Sequence, residues 1–263
     1  MTLRINHLKI AFENKRPVVE DLSLAVEERS FTALVGESGS GKTVTALSVC
    51  RLIRPAVLTG EILFSGKNLL SLDEKELLRV RGGGISHIFQ DPFSSLNPVL
   101  PAGRQIEEAF RIHHPRAPKS EARNEALAAL GDAAIPDPER VCRSFPHELS
   151  GGLCQRAMIA MALVSRPKVL IADEPTTALD TATQDQIMRL LARLSAERNL
   201  AVFFITHDLG LARDWAEVIY VLEKGRLVER LTKEEKFTPR EPYTKKLFRA
   251  ELIDQKPKTF IEI

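Results

Sequence analysis

Cysteine, net charge and long apolar runs are all scarce in this 263-residue sequence, and each scarcity argues against a class of protein. The three cysteines, Cys50, Cys142 and Cys154, are odd in number, widely spaced and without a CxxC pair. That pattern speaks against a disulfide framework and against a zinc site, and it suits a reducing compartment. Lys and Arg number 37 against 35 Asp and Glu, so the formal net charge is +2, too weak a field for a nucleic-acid footprint, and no nucleic-acid partner is expected. The longest apolar stretches, such as residues 157–164, fall far short of the roughly 18 residues that a membrane span requires. Any membrane crossing is therefore expected from another chain. The start, Met1-Thr2-Leu3-Arg4, leads into alternating residues without an apolar signal core, which predicts a cytoplasmic location.

What is present is 44% hydrophobic and 27% charged residues, the balance of an ordinary globular chain with enough length to bury a core without staples. Leu3, Ile5, Leu8, Ile10 and Phe12 alternate with polar residues, and Leu22, Leu24 and Val26 repeat the pattern, so both stretches read as strands with one buried face. Residues 31–35 form a short apolar run ending in glycine, the mark of a strand buried on both faces, and residues 43–53 resume with helical spacing. Residues 169–172 and 201–205 are two more apolar runs. Between them Ile187, Leu190, Leu191 and Leu194 recur at helical spacing, which predicts a βαβ crossover and hence a parallel sheet. Residues 104–145 change character. They are rich in Ala, Glu and Arg, broken by Pro115, Pro118, Pro136 and Pro138, and read as helical, part of an inserted subdomain expected over about 104–166. Residues 218–228 predict a hairpin around Glu223-Lys224-Gly225, and a charged tail over about 232–263 reads as a helix with a loose end.

Three motifs carry chemistry. Gly36-Glu37-Ser38-Gly39-Ser40-Gly41-Lys42-Thr43 satisfies G-x-x-x-x-G-K-[ST] between a buried strand and a helix. Its glycines let backbone N–H groups curl around phosphate oxygens, and the helix start adds a positive dipole end. Lys42 is placed to neutralise β and γ phosphates, and the Thr43 hydroxyl to ligate Mg²⁺. Val169-Leu170-Ile171-Ala172-Asp173-Glu174 is a buried strand ending in two acids, at the end where an open parallel sheet presents ligand groups. Asp173 is suited to holding Mg²⁺, and Glu174 to deprotonating a water for in-line attack on a γ phosphate. Leu149-Ser150-Gly151-Gly152-Leu153-Cys154-Gln155-Arg156 places a capping serine and two glycines before another helix, a second anion-binding start. The first loop already cradles one nucleotide's phosphates, so the second is best explained by a γ phosphate shared between two chains.

In their order these motifs resemble the ATP-binding subunit of an ABC transporter, and the resemblance covers essentially the whole chain. It implies a P-loop NTPase core: α/β, with a mostly parallel sheet, an N-terminal antiparallel β subdomain and an inserted helical subdomain. It implies ATP and Mg²⁺ as cofactors, and as partners membrane-spanning permease subunits, a second ATP-binding subunit, identical or paralogous, in a head-to-tail dimer and, indirectly, an extracytoplasmic solute-binding protein. The chain would then sit on the cytoplasmic face of the membrane. By the same resemblance Phe12 stacks on adenine, Gln90 contacts Mg²⁺ and senses the membrane partner, Ala178-Leu179-Asp180 forms the loop that crosses the dimer, and His207 holds the γ phosphate. Cys154 and Phe12 depart from the commonest residues of the family without removing a group that chemistry needs. Gln90-Asp91-Pro92-Phe93-Ser94-Ser95-Leu96-Asn97-Pro98 and Glu241-Pro242-Tyr243-Thr244 resemble the oligopeptide, dipeptide and nickel branch of ABC importers. Many members of that branch continue into a longer tail after the Pro-Tyr; this sequence ends at Ile263, so the solute stays open.

Rival readings lack their own marks. An ABC-type ATPase of DNA repair should carry a coiled coil or zinc insert between the phosphate loop and Ser150, a translation factor should hold two cassettes, and a GTPase should carry Asn-Lys-x-Asp after the loop. The only Asn-Lys, Asn14-Lys15, precedes it.

Overall fold

The computed structural model describes residues 2–13, 16–54, 56–177 and 180–254. The chain opens with two antiparallel strands, β1 (Leu3–Ala11) and β2 (Val19–Val26), whose alternate apolar side chains are buried. β3 (Phe31–Val35) is buried at every position and feeds α1 (Lys42–Val49). That helix is shorter than its apolar spacing predicts: it stops at Val49, and Arg51 already lies at φ 52°. β4 (Val57–Phe64) pairs with the free side of β1, and the short β5 (Lys67–Asn68) completes an antiparallel arm. α2 (Glu74–Val80), started by a reciprocal capping box between Asp73 and Glu76, leads to β6 (Ile85–Ile88). This strand ends one residue before the predicted Phe89, which is exposed.

A run of helices follows: α3 (Pro92–Ser95), α4 (Ala102–His113), α5 (Lys119–Asp132), α6 (Pro138–Arg143), a single 3₁₀ turn at Pro146–Glu148, and α7 (Gly151–Leu163). The prolines that mark this region break no helix. Pro118 precedes α5, Pro138 opens α6 where a missing N–H is harmless, and Pro115 and Pro136 fall in connections. β7 (Val169–Asp173), α8 (Thr181–Arg198) and β8 (Ala201–Thr206) form the predicted crossover, with β7 and β8 parallel neighbours. α9 (Leu209–Trp215) precedes the hairpin of β9 (Val218–Glu223) and β10 (Arg226–Thr232), and α10 (Pro242–Asp254) begins ten residues later than the tail's composition suggests.

The strands form one mixed sheet in the order β5-β4-β1-β2-β10-β9-β3-β8-β7-β6. From β9 to β6 every neighbour is parallel, while the antiparallel arm joins through β2 beside β10. The central strands divide their side chains between two apolar layers. Phe31, Ala33, Val35, Leu170, Ala172, Val202 and Phe204 pack toward the helical layer. Leu34, Val169, Ile171, Ala201, Phe203 and Ile205 pack toward α1 and the antiparallel arm. Continuous apolar runs in the sequence are therefore period-2 strands with a core on each face.

Candidate functional site

Four parallel strands bring their carboxyl ends to one edge. Ile88 lies beside Ala172, Asp173 beside Ile205, and Val35 beside Thr206, so the residues that follow these strands must gather. They are the 36–43 loop, Gln90, Glu174 and His207. Ser38, Gly39, Gly41, Lys42 and Thr43 line a cavity of about 580 Å³ together with Gln90, Glu174 and His207.

The loop's shape is held by contacts within the chain. Gly41 caps α1 at φ 107°, a left-handed conformation, and a Cβ on Gly36 would lie 2.2 Å from the Leu222 carbonyl oxygen. Lys42, only 6% exposed, donates from Nζ to the carbonyls of Gly36 at 2.8 Å and Glu37 at 3.0 Å. Two of its three ammonium protons are thereby used, leaving one for a ligand oxygen. Burial lowers the Lys42 pKa, against the opposing pull of Glu174 and Asp173. The Gly225 N–H donates to the Ser40 carbonyl at 2.9 Å, tying the loop to the β9–β10 turn.

Glu174 is held on every side. Its Oε1 lies 3.0 Å from His207 Nδ1, and its Oε2 accepts from Gln90 Nε2 at 3.1 Å and from the Thr177 hydroxyl at 2.8 Å. Partial burial pushes its pKa up, but the bonds from Thr177 and His207 and the charges of His207 and Lys42 outweigh that, so the carboxyl titrates below its ordinary range. Its backbone sits at φ 48°, a strained position for a non-glycine residue, stabilised by the Glu174 N–H bond to the Ile205 carbonyl at 2.9 Å. Asp173 behaves oppositely. Burial raises its pKa, partly offset by a hydrogen bond with the Thr43 side chain, and its Oδ1 is buried without a hydrogen-bond partner. An orphaned carboxylate oxygen beside a hydroxyl is a donor set that fits a hard divalent cation such as Mg²⁺.

Other predicted residues lie elsewhere. Phe12 is half-buried just past the end of β1 and does not line the cavity, whereas Val18 does. Ser150 caps α7 by accepting from the Leu153 N–H at 3.4 Å; it is exposed, and neither it nor Gly151 or Gly152 lines the cavity. Asp180 caps α8, accepting from the Thr183 N–H at 3.0 Å, and is exposed as well. Ala178 and Leu179 lie outside the described residues. The sequence reading assigned no role to Thr177 and none to the Gln155 side chain within its motif. Thr177 orients Glu174, and Gln155 of α7 donates to the Pro175 carbonyl at 2.7 Å, linking the second glycine-rich helix to the acidic strand end. The Ser/Thr after a strand-end acid signals a local side-chain bond only once the backbone turn is known.

The model of the ABC transporter family matches residues 19–177. The chain is 45% identical to the peptidoglycan transport ATP-binding protein of Agrobacterium fabrum over 97% of its own length and 48% of that protein's, so it spans about half of this relative. It is 44% identical to a probable peptide ABC transporter ATP-binding protein of Sinorhizobium fredii, over 95% of this chain and 76% of that one. Among solved structures it resembles the dimeric post-hydrolysis state of the ATP-binding cassette MJ0796 bound to ADP and Pi, with a TM-score of 0.77 at 30% identity, covering 88% of this chain and 98% of that chain. With its phosphate loop, acidic strand end and second glycine-rich helix in one α/β frame, the chain belongs to the ABC transporter family and aligns with its ATP-binding proteins.

Proposed function

We propose that the chain hydrolyses ATP and, as one of two ATP-binding subunits on the cytoplasmic face of a membrane, powers an importer of peptide-like or metal-chelate solutes. The observation that carries this reading is the convergence of Lys42, Thr43, Gln90, Glu174 and His207 on one cavity. Backbone N–H groups of residues 38–43 wrap the phosphates, and the remaining proton of Lys42 meets the β and γ oxygens. Thr43, Gln90 and Asp173 would hold Mg²⁺, which supplies charge neutralisation at the phosphates. Glu174, ionised at neutral pH by its low pKa and aimed by Thr177, Gln90 and His207, takes a proton from the attacking water. The water oxygen bonds to the γ phosphorus as the bond to the β-bridging oxygen breaks, and ADP and phosphate leave. His207, on the cavity wall, steadies the γ phosphate.

The start of α7 supports a two-chain site. Ser150 and Gly151 are a second anion-binding helix start outside that cavity, and an added Cβ on Gly151 would meet nothing within 4 Å among the described residues. They, with Asp180, are suited to a nucleotide held by the partner's loop. No helix among the described residues is long and apolar enough to cross a membrane. An apolar cleft of about 340 Å³, walled by Leu78, Phe89, Ile112, Met158 and Met161, suits a short helix of a permease subunit near Gln90.

Glu174→Gln tests the mechanism: turnover should slow by about 10² to 10⁴, the usual worth of a general base, with nucleotide binding retained and an ATP-bound dimer on size-exclusion chromatography. An active, permanently monomeric variant would contradict it. For the solute class, deleting the gene in a strain without a transporter paralogue should lower uptake of di- and oligopeptides or of nickel chelates. Unchanged uptake of all of them would overturn the class and leave the ATPase reading intact.

A further inference from the structure

Helix α10, which carries the Pro242-Tyr243-Thr244 motif, touches the phosphate loop directly. The Glu37 backbone N–H donates to the Tyr243 hydroxyl at 3.2 Å, across 206 residues of sequence. On its other side the Glu37 carbonyl accepts from Lys42 Nζ at 3.0 Å and from the Ser40 N–H at 3.2 Å. The second residue of the loop is thus held from two directions, one of them by a side chain from outside the nucleotide core. The Lys246 ammonium lies 3.9 Å from the Glu37 carboxylate, but both are well exposed and such a pair contributes little.

The helix that supplies Tyr243 is anchored at both ends. Glu229 of β10 accepts from the N–H groups of Arg240 at 2.7 Å and Glu241 at 3.2 Å, immediately before Pro242. Two turns beyond Tyr243, Arg213 of α9 pairs with Glu251 at 3.7 Å and lies 5.5 Å over the Phe248 ring. α9 itself starts under the cap of Asp208, the residue after His207. One helix therefore reaches the phosphate loop at its start and, along its length, the helix that follows the cavity histidine.

We infer that α10 is a strap setting the phosphate loop relative to His207, with Tyr243 a positioning residue for nucleotide binding; this rests on the nucleotide reading of the loop. Loop amides bind phosphate well only when their geometry is fixed in advance, and losing the Tyr243 bond frees residue 37 to sample other orientations. By linkage, a contact that favours nucleotide is itself favoured by nucleotide, so ATP should tighten α10 onto the loop.

The test uses the full chain with Tyr243→Phe, which removes only the hydroxyl, alongside Arg213→Gln and the double variant. Titration with a fluorescent ATP analogue should show Tyr243→Phe binding about fivefold weaker, the effect of one lost hydrogen bond, with KM raised alike and kcat within about twofold. Arg213→Gln should weaken binding less and add nothing in the Tyr243→Phe background, because both act through the same helix. Hydrogen exchange should slow in α10 when the analogue binds wild type, and this protection should vanish in Tyr243→Phe. Unchanged affinity in Tyr243→Phe, or α10 exchange indifferent to nucleotide in wild type, overturns the strap. Lys42→Ala separates the two levels: if it abolishes binding while Tyr243→Phe changes nothing, the strap alone fails, and if Lys42→Ala binds as wild type does, the nucleotide reading falls with it.

Discussion

Two helix starts in this molecule, those of α1 and α7, are both rich in glycine and differ in what demands it. At α1 the chain itself requires the glycines, through the positive φ of Gly41 and the Leu222 carbonyl against Gly36, and the same start is enclosed by Lys42, Thr43, Gln90, Glu174 and His207. At α7, among the described residues, an added Cβ on Gly151 would meet nothing within 4 Å and one on Gly152 would meet a Thr183 methyl at 3.4 Å, and Ser150 is exposed. The first start lines a cavity built from residues of this chain. The second has an exposed capping serine and does not line that cavity; under the proposed two-chain reading, its glycines serve a nucleotide held by the partner.

The widest gap between the two should appear on removing Lys42. It is the cation of the enclosed start, and Lys42→Ala leaves several phosphate charges to backbone dipoles alone. Nucleotide affinity measured by equilibrium titration should fall by orders of magnitude. Equal affinity in variant and wild type would remove the distinction between the two starts.

Ser150→Arg probes the open start and should act differently. The isolated chain should bind nucleotide as wild type does, because Ser150 does not line the cavity, while ATP turnover by the dimer collapses. Mixing it with the Lys42→Ala chain should restore one composite site per mixed dimer and recover part of the lost turnover. Hydrolysis that stays linear in protein concentration down to the monomer regime would mean that α7 needs no partner.

Much of this comparison was legible in the sequence because it depends on local order. A buried strand, a glycine loop and a helix are written consecutively at residues 31–49, and strands of the crossover show as uninterrupted apolar runs at 169–172 and 201–205. β4 was not legible: its burial alternates only near its end, and Val57, Thr59, Gly60 and Glu61 are exposed, so no period announced it. The end of α1 was missed because apolar spacing continues through Leu52 and Ile53 after the backbone has turned left-handed at Arg51. The contacts of Thr177 and Tyr243 were illegible for a different reason. Each acts through one hydroxyl whose partner is fixed by tertiary packing, and neither spacing nor composition carries that information.

The smallest effect, and the one whose sign is least intuitive, belongs to Asp173. Burial lifts its pKa above the ordinary value of about 3.9, with the Thr43 bond pulling down, Glu174 pushing up and Lys42 pulling down. A carboxyl whose folded pKa exceeds its unfolded one reduces stability when ionised; the deficit is complete above the folded pKa and disappears as pH falls below the unfolded value. Glu174 has the reverse sign: its folded pKa is depressed, so its contribution is present above the unfolded value and is lost as pH falls through the folded one. In chelator, without nucleotide, Asp173→Asn should therefore melt higher than wild type at pH 7 to 8, and the difference should shrink toward zero near pH 4. Glu174→Gln should melt lower than wild type at neutral pH, converging with it on acidification. Adding Mg²⁺ and ATP should invert the Asp173 comparison, because ligand binding then stabilises wild type more than a variant that has lost one donor oxygen. If Asp173→Asn instead melts lower at pH 8 in chelator, the Asp173 Oδ1 is satisfied within the chain, and the enclosed start would be complete without a cation.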